Sequence, residues 1–113
     1  IKMAVVTADT TLRAQKSLSY LGITSYFETI IGADMVKETK PAPDMAFLAC
    51  ELLEVDPNEA VVIGDNILDM YMGKDAGLAG SIGVLTGVCQ KEQLEKVADA
   101  VVNSVADIDI DNI

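Results

Sequence analysis

Asp65 and Asp69 follow directly on the apolar run Val61-Val62-Ile63-Gly64 and lie one helical turn apart. The run reads as a buried parallel strand, and Gly64 lets the chain turn sharply off its end. Both carboxylates then fall beyond the strand's carboxyl end, where open α/β sheets bind their ligands. Two hard oxygen ligands at such a place suit Mg²⁺, which takes one or two carboxylates, several waters and a substrate phosphate. By themselves these residues also describe a plain Gly-Asp turn leading into a helix cap. Two further positions add weight to the first reading. Thr7 closes the run Met3-Ala4-Val5-Val6, where its hydroxyl can donate to a phosphate oxygen beside the next helix N-terminus. Lys40 opens Lys40-Pro41-Ala42-Pro43-Asp44, in which two prolines stiffen the chain around an ammonium able to neutralise a phosphate or a carboxylate. Taken singly, a strand-end threonine is a cap and a lysine before proline is solvated, with Lys37 a competing cation.

The elements that must position these groups alternate along the chain. Candidate strands are Lys2–Thr7, Thr29–Ile31, Ala60–Ile63, Ser81–Leu85 and Ala100–Val102. Leu12–Leu21 carries Ala14, Leu18 and Leu21 on one helical face and stops at Gly22. Asp44 is expected to cap a helix over Met45–Leu53. A third helix should run from Leu68 to Ala76 and end at Gly77, and a weaker fourth over Gln90–Val97. Asp56-Pro57-Asn58-Glu59 reads as a turn. The tail Asp107–Ile113 reads as a short surface helix or a frayed end. Strand and helix in alternation predict an α/β fold with a parallel sheet and helices on both faces, in a single domain over residues 1–113.

Composition narrows the function. The formal net charge of −10, from 18 acidic against 8 basic residues, argues against nucleic acid and against anionic membrane surfaces. A phosphate ligand would need local help from a lysine, backbone N–H groups or a metal. The chain has no histidine, which removes Ser-His and Cys-His catalysis and histidine metal sites. Cys50 and Cys89 fit no metal spacing, and Cys50 reads as an inert core thiol. Nothing suggests a disulfide scaffold, so a reducing cytoplasm is the expected setting. The chain opens straight into a strand at Ile1 without a Met, which reads as the later part of something longer.

The order of Lys40-Pro41-Ala42-Pro43 and Gly64-Asp65-Asn66-Ile67-Leu68-Asp69, with Phe27–Asp34 and Asp75-Ala76-Gly77, resembles the haloacid dehalogenase-like superfamily of phosphohydrolases. It is similar to the phosphoglycolate phosphatase and phosphoglucomutase-like branch over essentially the whole chain. The resemblance implies a three-layer, Rossmann-like core and a Mg²⁺-dependent phosphatase acting on a small phosphorylated metabolite through an aspartyl-phosphate. It implies that Thr7 binds the phosphoryl group, that Lys40 steadies the charge on nucleophile and phosphate, and that Asp65 ligates Mg²⁺ while Asp69 holds the metal or its waters. The family's asparagine after the threonine is Ala8 here, which weakens one phosphate contact.

The family's first motif, Asp-x-Asp-Gly-Thr on the central strand, has no counterpart in this chain. Thr7-Ala8-Asp9-Thr10-Thr11 mimics it faintly, with no base to activate a threonine nucleophile. The chain alone is therefore expected to bind phosphate without turning it over. The central strand is missing with the motif. If the gap closes, the strands fall in the flavodoxin-like order 2-1-3-4-5, with the Thr7 and Asp65 strands paired directly; this is the favoured expectation. Otherwise a complementing strand from a partner, or a homodimer, must cover the inner edges. A catalytically silent phosphate- or metal-binding module of flavodoxin-like shape is the rival reading. A receiver-like domain fits less well, because no acidic pair follows the first strand.

Overall fold

A computed structural model describes residues 1–109. Five strands form within two residues of the expected apolar runs: β1 Ala4–Val6, β2 Thr29–Ile31, β3 Val61–Gly64, β4 Gly80–Val84 and β5 Ala100–Val102. Their Val and Ile side chains are stiff at χ1 and favour extended backbone. Between them lie α1 Thr11–Leu21, α2 Asp44–Leu53, α3 Ile67–Ala76 and a short α4 Lys91–Glu95, this last covering part of the expected Gln90–Val97. Every ladder is parallel, with Val5 opposite Ile30, Val62 opposite Ser81 and Gly83 opposite Val101.

Helix ends are fixed by local chemistry. Thr10 caps α1 by accepting from the Arg13 N–H at 3.3 Å. Gly22 ends α1, and Gly77 ends α3, each in the left-handed region at φ 73°, which costs glycine little. Asp44 does not cap α2. Pro43 occupies the cap position, and Asp44 sits in the first turn, where its charge suits the helix dipole and it accepts from the Glu38 N–H at 3.2 Å. At the other end of α2 the Lys2 ammonium donates to the Leu53 carbonyl at 2.7 Å, a cation where the dipole is negative. The expected tail element over Asp107–Ile113 falls largely outside the described residues; Val105–Asp107 forms a 3₁₀ turn.

The core contains Ile31, Met45, Ala46, Ala49, Val62, Met70, Met72, Ala76 and Leu94. No aromatic residue belongs to it, and the buried methionines fill the irregular spaces between helices and sheet. Burial, with the nearby Asp56 charge adding to it, pushes the Cys50 thiol pKa up, in keeping with an inert core cysteine. Among the described residues no helix is long and apolar enough to cross a membrane.

The expected direct pairing of β1 with β3 does not form. β1 pairs with β2 in one two-stranded sheet, and β3, β4 and β5 make a second of three strands. α2 packs on β1 and β2, α3 packs on β3 and β4, and the two helices pack on each other. Packed helices sit about 8–10 Å apart, close to two strand spacings of about 4.8 Å each, so this layer by itself would allow the pairing. The inner edge of β1 is occupied by a side chain instead: the Lys40 ammonium donates to the Val6 carbonyl at 3.4 Å and to Asp69 Oδ1 at 2.6 Å.

Alternation along each strand says which main-chain groups face the gap. Thr7 N–H donates to Ile31 and Glu28 N–H donates to the Met3 carbonyl, so Met3, Val5 and Thr7 face β2 while Ala4 and Val6 face inward. The Ala79 N–H donates to the Ala60 carbonyl, so Val62 faces β4 while Val61 and Ile63 face inward.

The Phe27–Asp34 segment earns its place by docking on α1. Asp34 Oδ1 accepts from the Thr11 N–H at 2.7 Å and the Thr11 hydroxyl at 2.9 Å. The Gly32 N–H donates to the same hydroxyl at 3.0 Å, and a Cβ at Gly32 would collide with the Thr11 backbone. The Thr11 N–H, then its hydroxyl, hold the Asp34 carboxyl below its ordinary value of 3.8.

Two outcomes follow from this architecture. Amides of Ala4, Val6, Val61 and Ile63 should exchange with solvent far faster than those of Val5 and Val62 in hydrogen-exchange NMR; uniform protection across the four strand-edge amides would mean the gap is closed. A carboxyl with a depressed folded pKa contributes stability that is full above the unfolded value and lost as pH falls through the folded one. Asp34→Asn should therefore flatten the fall of the urea midpoint below pH 3.8, and a curve parallel to wild type through that window would contradict the Thr11–Asp34 linkage.

Candidate active site

The site is built where β1 and β3 end. Thr7 leaves β1 with its N–H bonded to Ile31 at 3.0 Å. Its Oγ1 accepts from the Asp9 N–H at 3.1 Å, which orients the hydroxyl and leaves its own proton free to donate. Ala8 is exposed beside it and offers no side-chain polar group. Asp9 turns outward to Arg13 at 3.5 Å.

Lys40 reaches into the gap from the loop before α2, where the Lys40–Pro41 peptide is cis. Its Nζ lies 2.6 Å from Asp69 Oδ1 and 3.4 Å from the Val6 carbonyl oxygen. One ammonium thus touches the inward edge of β1 and the first turn of α3. Lys40 and Asp69 side chains are 15% and 9% exposed, so the pair is strong enough to fix geometry. Lys37, the competing cation, is exposed.

The two aspartates have separate surroundings. Asp69 is buried, and besides Lys40 it accepts from the Asn66 N–H at 3.3 Å. Asn66 in turn accepts from the Leu68 N–H at 2.9 Å, which closes a capping box that starts α3 at Ile67. A Cβ at Gly64 would overlap Asp69 Oδ2 and lie 2.6 Å from its Cβ, so the glycine is required for this close approach. Asp65 is exposed and forms no hydrogen bond or ion pair among the described residues. Its carboxylate keeps every lone pair open to a hard cation and water, which fits the open, water-rich coordination of Mg²⁺. No group of three His, Cys, Asp or Glu side chains among the described residues is placed to hold a metal, so Asp65 would be a sparse protein contribution.

Of the residues singled out from sequence, the fold joins Lys40 to Asp69 directly and to the β1 end through Val6, next to Thr7. Asn66 was missed, although Asn-x-x-Asp is a readable capping box. Asp69→Asn keeps an acceptor for the cap and removes the counter-charge of Lys40. It should lower stability by about 2–4 kcal/mol, toward the low side for an uncompensated buried charge because Lys40 retains some solvent contact. An unchanged urea midpoint would show that the pair holds nothing.

The model of the haloacid dehalogenase-like hydrolase family matches residues 1–84. The protein named "Probable phosphatase IndB" of Dickeya dadantii is 37% identical over 100 residues, covering 88% of this chain and 43% of that protein. The phosphoglycolate phosphatase of Aquifex aeolicus is 36% identical over 76 residues, covering 67% of this chain and 36% of that protein. The crystal structure of CbbY from Rhodobacter sphaeroides in complex with phosphate superposes with a TM-score of 0.82 at 30% identity, covering 95% of this chain and 48% of that one. The chain spans less than half the length of the curated relatives it matches.

Proposed function

The chain belongs to the haloacid dehalogenase-like hydrolases, and from that premise we propose that its gap-end site binds the phosphoryl group of a small phosphorylated metabolite, for phosphomonoester hydrolysis by the whole protein. The observation that carries the proposal is the Lys40 ammonium, clamped between Asp69 and the Val6 carbonyl beside Thr7. A cation held in place at that point costs no reorganisation when charge arrives, which is how preorganised sites stabilise phosphoryl transfer. Thr7 donates its hydroxyl proton to a phosphate oxygen. Ala8 supplies main chain alone. Asp69 orients Lys40, and Asp65 offers its open carboxylate to Mg²⁺. The metal, when bound, neutralises phosphate charge.

The nucleophile of an aspartyl-phosphate route would be carried by a strand entering between β1 and β3, from another segment of the whole protein or from a complementing partner. The inward main-chain groups of Ala4, Val61 and Ile63 suit such a strand, since unpaired buried groups cost about 1–3 kcal/mol each. The free cysteines suit a reducing cytoplasm. Because the sequence holds no Asp-x-Asp-Gly-Thr motif, the silent phosphate-binding reading is the one proposed for the chain by itself.

The chain alone should bind Mg²⁺ weakly in a calorimetric titration, with heats reduced in Asp65→Asn, and should hardly hydrolyse p-nitrophenyl phosphate. Equal heats from the two proteins would remove Asp65 from the metal site. Robust turnover abolished by Thr7→Ala would overturn the assignment of Thr7 as a binding group and make it the nucleophile.

A further inference from the structure

Gly87 lies in the loop between β4 and α4, outside every motif that the sequence offers. A Cβ placed on it would overlap Asp65 Oδ2 and come within 2.6 Å of both Asp65 Cβ and Cγ. A new rotamer moves the Asp65 carboxylate but not its Cβ, which is fixed to the backbone. Any side chain at position 87 must therefore displace the β3–α3 turn or its own loop, and part the two either way. The backbone of Gly87 is not in the left-handed region, unlike Gly22 and Gly77. Its conformation does not demand glycine; the space occupied by Asp65 does.

The contact matters because of what Asp65 lacks. Asp69 is held by an ammonium and a main-chain N–H. Asp65 has no such partner among the described residues. A donor would fix the carboxylate but use up a lone pair that a cation needs. Packing against a bare Cα fixes it and uses none.

We infer that Gly87 is a positioning residue for Asp65, a steric support that sets the carboxylate while leaving it free to bind a divalent cation. The cation part of this inference rests on the reading of Asp65 above; the support itself does not. Both parts are tested on the full chain. Gly87→Ala should shift the side-chain ¹³Cγ resonance of Asp65 in metal-free protein, assigned by its loss in Asp65→Asn. It should also weaken Mg²⁺ binding by calorimetry about tenfold or more, the usual effect of disturbing a residue that orients a ligand. Gly80→Ala is the control, because a Cβ there meets its neighbours at ordinary distances of 3.4 and 3.6 Å; it should leave both readouts unchanged. A double-mutant cycle covers the case in which Gly87→Ala folds poorly. Asp65→Gly removes the obstructing atoms, so adding it to Gly87→Ala should restore the urea midpoint. An unmoved Asp65 resonance, or strictly additive losses in the cycle, overturns the support. A shifted resonance with Mg²⁺ binding equal in wild type, Asp65→Asn and Gly87→Ala confirms the support and overturns the cation.

Discussion

The Lys40 ammonium bridges the divided sheet. It takes the Val6 carbonyl from β1 and the Asp69 carboxylate from α3, across a seam that no ladder crosses. Neither contact would hold alone. An inward-facing carbonyl needs a donor in place of a neighbouring strand, and a nearly buried carboxylate needs a counter-charge. Asp69 also seals the first turn of α3, and Gly64 leaves it the room to do so. The ends of β1 and β3, and with them Thr7 and Asp65, are therefore referred to a common point. The charge proposed to meet a phosphoryl group is also the one that ties the two walls of the site together.

α2 and α3 lie side by side, each over its own pair of strands. A reading confined to strands counts edges and concludes that two open ones should pair. It omits the side chains, which can satisfy an edge without a strand: the inward carbonyl of Val6 takes its donor from Lys40.

Strands and helices were legible because their apolar periods are strong, and with them the places of Thr7 and Asp65 just at or beyond strand ends. The division of labour between the two aspartates was not, since a carboxylate's partners are set by tertiary neighbours and both residues look alike in sequence. The Asp44 cap failed for a local reason: Pro43 fits the position before the helix, which moves the aspartate into the first turn. Gly87 could not be seen at all. It acts through the absence of a side chain opposite a residue far away in sequence, and no period or motif records that.

The fully buried methionines give the seam a mechanical character. Met45 on α2, with Met70 and Met72 on α3, are unbranched and turn about three soft bonds. A core of branched side chains tolerates one spacing of its layers, because each shape fits one neighbour. Thioether chains can lengthen or fold to keep contact as the layers move. The two half-sheets are thus joined through an adaptable lining of thioether chains rather than through a hydrogen-bonded ladder.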